Sequence, residues 1–249
     1  MVESAERAEE AMRPARDLVL VHSSDLHIDV HAVPGAEGSN NLHCVLSVAR
    51  RVGADLILLA GDTFDSHRQP AAFIADVFAI IGKQPIPVVM LPGNHDPVVP
   101  EAVYRHLPED GGNLHILGVT HDEAVVFAEL DLEVWGRAHR DYCDMDPFAQ
   151  TRSRSTRWQI AMGHGHYHPV PDRSTQLRPS WLISDKELAA TQADYVALGH
   201  WNRAVDVGSA TIHAHYSGSP DCAGTVNVVR LNSDGKVEVS REPVDSSLD

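Results

Sequence analysis

Leu18 to His22 is five residues without a charge, and Asp55 to Ala60 and Ile86 to Leu91 repeat the theme as mainly apolar stretches. Short apolar runs bounded by turn residues predict buried strands. Helical spacing lies between them. Leu42, Val45, Leu46 and Val48 share one side of a segment that Ser39 or Asn40 can cap and that Gly53 follows. Phe73, Ile74, Val77, Phe78 and Ile81 mark a second helix, with Pro70 in its first turn and Gly82 at its stop. Strand, helix, strand, helix, strand predicts a mostly parallel sheet covered by helices. Functional groups in such sheets gather beyond the carboxyl ends of the strands. Asp25, Asp62 and Asn94 all fall there.

From about Leu114 the pattern changes to short strands, expected at 113–117, 124–127, 132–135 and 158–162. Ser184-Asp185-Lys186-Glu187 is a capping-box pattern opening a short helix through Ala190. Tyr195 to Leu198 is a strand leading into Gly199-His200, and strands at 210–216, 225–231 and 236–240 complete an antiparallel half. No internal repeat or composition break divides the 249 residues. The expected organisation is a polar leader over 1–16 and one domain over 17–249, long enough for a sizeable core.

Composition narrows the function. No apolar run approaches the roughly 20 residues that span a bilayer, so no membrane partner is expected. Residues 1–16 are polar, without the apolar centre of a secretory signal. Cys44, Cys143 and Cys222 are odd in number and widely spaced, which argues against a disulfide framework and fits the cytoplasm. The formal net charge of -15 gives no support to a generic nucleic-acid partner, though carboxylates that bind dications contribute to it. Arg137, Arg140, Arg152, Arg154, Arg157, Arg173 and Arg178 crowd the middle of the chain, as a solvated loop or a phosphate-facing rim.

Histidine is the outlier, at 16 residues, and several stand at expected strand ends. Asp25-Leu26-His27, Gly61-Asp62-Thr63-Phe64-Asp65, Gly93-Asn94-His95-Asp96, His164 and His200 follow apolar strands in order. Any one of these fragments alone reads as a turn; together, in sequence after buried strands, they point to a common site. Carboxylate, imidazole and amide donors without thiolate suit two divalent ions, Mn²⁺ first, with Fe or Zn as alternatives. Asp25 and His27 are two apart, so on a regular strand both face one ion. Asp62 can bridge to a second, which Asn94, His164 and His200 complete. Two such ions clamp a phosphate, generate hydroxide at neutral pH and stabilise a leaving oxygen. His95 is the candidate acid for that oxygen, with Asp65 accepting from its other ring nitrogen. His164 directly follows a strand, so it is preferred as ligand over His166. His31 and His67 lie near the ligand loops, and Trp201 is read as packing beneath one.

These motifs, with Gly163-His164 and Gly199-His200, resemble the calcineurin-like metallophosphoesterase superfamily over about residues 18–220. The resemblance implies an α/β (α+β) fold, a four-layer αββα sandwich of two mixed sheets flanked by helices. It implies a metal pair on Asp25, His27, Asp62, Asn94, His164 and His200. Ser24-Asp25-Leu26-His27, Tyr195 to His200 and Tyr216-Ser217-Gly218-Ser219-Pro220 look most like the bacterial and archaeal DNA-repair exonuclease branch. That family reads Gly-His-x-His where this chain has Gly199-His200-Trp201-Asn202, so Asn202 becomes a weaker oxygen ligand and the first ion a labile one. The implied function is hydrolysis of a phosphodiester or phosphomonoester substrate by hydroxide on a dinuclear metal. A DNA exonuclease or nuclease subunit is the alternative, and a non-catalytic scaffold lacking one ion is the alternative of another class.

Overall fold

The computed structural model describes residues 16–30, 38–107, 112–141, 146–174 and 181–244. The expected leader lies outside them except for Arg16, as do His31, Cys143 and Arg178. One sheet consists of β1 (Leu18–Ser23), β2 (Leu56–Ala60), β3 (Val88–Leu91), β4 (Leu114–Ile116), β13 (Thr225–Leu231) and β14 (Val237–Pro243), in the order β14-β13-β1-β2-β3-β4. β1 through β4 run parallel, and β13 joins β1 antiparallel. The other sheet holds β5 (Ala124–Phe127), β6 (Leu132–Gly136), β7 (Trp158–His164), β10 (Tyr195–Gly199), β11 (Val205–Asp206) and β12 (Ala214–Tyr216), in the order β11-β12-β10-β7-β6-β5. A two-strand ladder, β8 (His166–Tyr167) with β9 (Leu182–Ile183), stands apart.

Alternation along the strands assigns the layers. In β2, Ile57 and Leu59 join a core with Leu42, Val45 and Val48 of helix α1 (Gly38–Val52) and Ile74, Phe78 and Ile81 of helix α2 (Ala71–Gly82). Leu56, Leu58 and Ala60 turn the other way, onto Val134, Ile160, Met162, Tyr195 and Ala197 of the second sheet. Ala161, Val196, Leu198 and Tyr216 form the outer core with Leu188 of helix α3 (Asp185–Thr191). Helices, sheet, sheet and helix make the expected αββα sandwich. Strands buried on both faces read as unbroken apolar runs, which is why β2 and β3 are legible as such.

Three expectations change. The second half is mainly parallel, since β7 runs parallel to β6 and β10, and β10 to β12; only β5 and β11 pair antiparallel. Among the described residues the only helix in its crossovers is the seven-residue α3, so the sequence lacks the usual sign of parallel pairing. The consequence matters, because β7 and β10 end side by side, with Gly199 in register with His164. The third strand begins at Val88 rather than Ile86; Pro87 has no N–H for the ladder and serves only as acceptor to Ile57. The strand expected over 210–216 contracts to β12, with Ser209 and Ile212 pairing in a separate turn. The Ser184–Glu187 capping box opens α3 as expected.

Candidate metal centre

Every strand that carries a candidate residue delivers it at its carboxyl end, where the chain must turn sharply. Asp25, His27, Asp62 and His200 have φ of 54°, 49°, 51° and 100°. Such left-handed backbone is uncommon for residues other than glycine and marks strain held by surrounding structure. Here the turns after β1 and β2 brace each other: Asp25 N–H donates to Gly61 O at 3.0 Å, His27 N–H to Asp62 O at 3.1 Å, and Ile28 N–H to Thr63 O at 2.9 Å. The expectation that Asp25 and His27 share one face of a regular strand fails for this reason. The Asp25 carboxylate faces His200, whose N–H donates to both of its oxygens at 3.0 and 3.1 Å.

Four donors converge where the two sheets meet. Asp62 Oδ2 is 3.1 Å from His164 Nε2, Asn94 Oδ1 is 3.1 Å from that nitrogen, and His200 Nδ1 is 3.0 Å from Asn94 Oδ1. His164 Nδ1 lies 2.8 Å from Ala60 O, which can only accept; that fixes the proton on Nδ1 and leaves Nε2 for the cluster in the neutral ring. The crowding dictates two glycines. A Cβ on Gly61 would strike the His164 ring, and one on Gly93 would strike the Asp62 carboxylate.

The electrostatics fit a cation. Burial pushes the Asp25 carboxyl up, with nearby Asp62 adding to it. Burial would also raise Asp62, but the charge on His164 and hydrogen bonds from His164 and His95 hold it below the usual carboxylate range. Burial lowers His164, yet the Asp62 and Asp25 carboxylates outweigh it and hold the imidazole up at about 9. His200, desolvated and beside that charge, is pushed down to about 3. The Asp62 carboxylate thus pairs with the His164 imidazolium, while burial disfavours the charged form of Asp25 beside them. A divalent ion in place of the proton would satisfy both carboxylates, and the oxygen and nitrogen donors suit Mn, Fe or Zn.

On the other side of Asp62, donor atoms of His27, Asp62 and His95 lie within 4.8 Å of one another. Asp62 Oδ1 accepts from the His95 N–H at 2.8 Å. The expected contact between the Asp65 carboxylate and His95 is replaced by a division of labour. Asp65 Oδ1 is 3.0 Å from His27 Nδ1 but 3.6 Å from His95 Nδ1, and the Asp65 main-chain carbonyl holds His95 Nδ1 at 2.8 Å. His95 Nε2 is left available. His95 also lines a notch of about 160 Å³ with Asp65, Ser66, His67 and Asn94. Ser66 also lines a larger cleft, about 850 Å³, with Arg68, Arg105, Asp29 and Glu101.

The remaining candidates separate clearly. His166 is exposed and accepts from Trp201 Nε1 at 3.0 Å. Trp201 packs, stacking on Tyr216 at 4.3 Å between ring centres. Asn202 is exposed and makes no hydrogen bond among the described residues. Sequence reasoning missed two supports. Asp96 is buried, accepting Gly93 N–H at 2.7 Å and Phe64 N–H at 3.1 Å, so it clamps the Asn94 loop to the Asp62 loop. Its signal was an acid directly after Asn94-His95 in an apolar setting. His139, on the crossover after β6, had no such signal.

An αββα sandwich with nitrogen and oxygen donors gathered at its strand ends is the frame of a metal-dependent phosphoesterase. Residues 18–203 match the calcineurin-like phosphoesterase family, and the chain belongs to that family of hydrolases acting on phosphoric esters. It is similar to one subunit of the nuclease SbcCD of Bacillus subtilis (strain 168), 24% identical over 241 residues, covering 81% of this chain and 61% of that protein. It is also similar to the uncharacterized metallophosphoesterase YhaO of the same organism, 28% identical over 204 residues, covering 74% of this chain and 48% of the relative. The chain therefore spans about half to three fifths of these relatives. Among solved structures, a Staphylococcus aureus protein described as a 5'-nucleotidase, in complex with alpha-ketoglutarate, shares the fold. Its TM-score is 0.57 at 13% identity, covering 92% of this chain and 53% of that one.

Proposed function

We propose that this chain hydrolyses a phosphodiester or phosphomonoester at a pair of divalent ions. Mn²⁺ is the first choice, with Fe or Zn as alternatives. Asp25, His27 and Asp62 hold the first ion, and Asp62, Asn94, His164 and His200 the second. The observation that carries this reading is the convergence of Asp62 Oδ2, Asn94 Oδ1, His164 Nε2 and His200 Nδ1 through contacts of 3.0–3.1 Å. Ions bound there supply positive charge to the phosphate and lower the pKa of the attacking water.

The chain's own residues do the rest. His95, held through Nδ1 by the Asp65 carbonyl, keeps Nε2 for the leaving oxygen and delivers a proton to it. The Asp65 carboxylate lies 3.0 Å from His27 Nδ1, placing negative charge beside that ring without a hydrogen bond to it. Arg68 and Arg105 in the adjoining cleft offer positive charge to the remainder of a phosphate-bearing substrate. Likeness to a component of the nuclease SbcCD favours a second reading, a nuclease or part of one, although the net charge of -15 gives it no support. The odd number and wide spacing of Cys44, Cys143 and Cys222 support a cytoplasmic setting. Among the described residues no helix is long and apolar enough to cross a membrane.

The test is a screen of phosphomonoesters, cyclic and linear phosphodiesters, and single- and double-stranded DNA with added Mn²⁺, run on the parent and Asp62→Ala. Turnover in the parent that vanishes in the variant is expected. Bound metal without turnover on any substrate would favour the scaffold, and equal turnover in both proteins would remove Asp62 from the chemistry.

A further inference from the structure

His139 belongs to neither donor cluster, yet it joins two pieces of chain that build the second one. Its N–H donates to Pro92 O at 3.3 Å, and its carbonyl accepts from Val98 N–H at 2.7 Å. These two bonds bracket the segment carrying Asn94, His95 and Asp96. Its side chain is buried, with Nε2 2.7 Å from the carbonyl of His164. A carbonyl only accepts, so Nε2 carries the proton and Nδ1 keeps a bare lone pair. That lone pair is buried with no partner among the described residues. A side chain that merely filled this space would need no donor, and burying an unpaired acceptor is unfavourable. The Nε2 contact to His164 is what a histidine adds here.

We propose that His139 is a positioning residue for the second ion, setting the separation of Asn94 Oδ1 from His164 Nε2 by tying the Asn94 loop to the end of β7. Ala60 fixes the rotation of the His164 ring, and His139 fixes its main chain. Groups that orient metal ligands in this way commonly change metal affinity when removed. The inference rests on the reading of Asn94 and His164 as ligands.

The test measures Mn²⁺ binding to the full chain without substrate, by calorimetry and electron paramagnetic resonance, for the parent and for His139→Phe, His139→Leu and His139→Gln. Phe and Leu fill the space without a donor, while the Gln amide can reach the same carbonyl. Phe and Leu should weaken the second ion about ten- to a hundredfold, with Gln within about threefold of the parent and the first ion unchanged in all. Equal losses in all three variants, or no loss in Phe and Leu, would overturn the proposal. Melting of the metal-free proteins reports folding separately. Should Phe and Leu fail to fold, His139→Asn, too short to reach the carbonyl, takes their place against Gln with the same decision. A parent that binds two ions but hydrolyses no phosphoric ester would sink the functional reading alone. Turnover with unaltered second-ion affinity in the donor-less variants would sink this one alone.

Discussion

Asp62 Oδ2 and His164 Nε2 stand 3.1 Å apart across the seam between the two sheets, one at the end of β2 and the other at the end of β7. The contact does two things. It brings the sheets' carboxyl ends to one point, and it stabilises a buried imidazolium at about 9 beside a carboxylate held low. In the metal-free protein His164 is therefore protonated at neutral pH on the nitrogen that faces Asp62, Asn94 and His200.

Metal uptake should accordingly release a proton. Of the second ion's ligands, His200, pushed down to about 3, is already neutral at pH 7 and Asp62 is already ionised, which leaves His164 to give up the proton. The sign follows directly: below about 9 a proton competes with the ion, and raising the pH removes that competition. Second-ion affinity should rise about tenfold per pH unit from 7 towards 9 and flatten above, with about one proton released per ion at pH 7. Calorimetry in buffers of different ionisation enthalpy measures the release. Uptake without proton release would mean that His164 is neutral before the ion arrives.

His95→Asn should keep both ions and slow turnover about 10²–10⁴-fold, the usual contribution of a positioned acid or base. The His95 main-chain N–H that holds Asp62 Oδ1 survives the substitution, so the bridge stays in place. A substrate with a good leaving group needs little protonation and should lose less. Steady-state rates on a leaving-group series decide the matter. Equal losses across the series would assign His95 to phosphate binding instead.

Asp65→Ala separates the two contacts of that residue. The main-chain carbonyl at His95 Nδ1 remains, while the carboxylate at His27 Nδ1 is lost. The first ion should bind more weakly, because a negative charge beside the His27 ring is lost. At saturating Mn²⁺ the leaving-group dependence should match the parent. Leaving-group behaviour like that of His95→Asn, with metal binding intact, would show that the carboxylate acts through His95 after all.

The sequence revealed most where burial is complete. β1, β2, β3, β7 and β10 are covered on both faces, so each reads as an apolar run, and the residue following each run is a candidate site residue or one or two positions from one. That rule favours His164 over His166 as the candidate, and His164 is the one buried beside Asp62 and Asn94. The same rule is blind to orientation. Asp25, His27 and His200 sit at positive φ, where two-residue spacing no longer tells which side chains share a face. Contacts between main chain and side chain across distant segments were equally hidden: Asp65 O to His95, and His139 to His164, belong to loops without periodicity. The parallel course of β7 and β10 was obscured because the short α3 is the only helix between them among the described residues.

Asn202 is the position where motif and structure diverge. His200 adopts φ 100°, and Trp201 is then held by stacking on Tyr216 and by its Nε1 bond to His166. With the preceding residue anchored in this way, residue 202 emerges exposed. Turning it back to the ions would require Trp201 to leave its stack. Asn202→Ala should therefore leave the Mn²⁺ midpoint for hydrolysis within about twofold of the parent, the scale of an ordinary surface substitution. Asn202→His should do the same, although imidazole is the better ligand for such ions. The measurement is a Mn²⁺ titration of hydrolysis on the three proteins, paired with metal content after desalting. A tenfold higher requirement in Asn202→Ala, matched by a lower one in Asn202→His, would place residue 202 on the first ion and show that the Trp201 turn opens when metal binds.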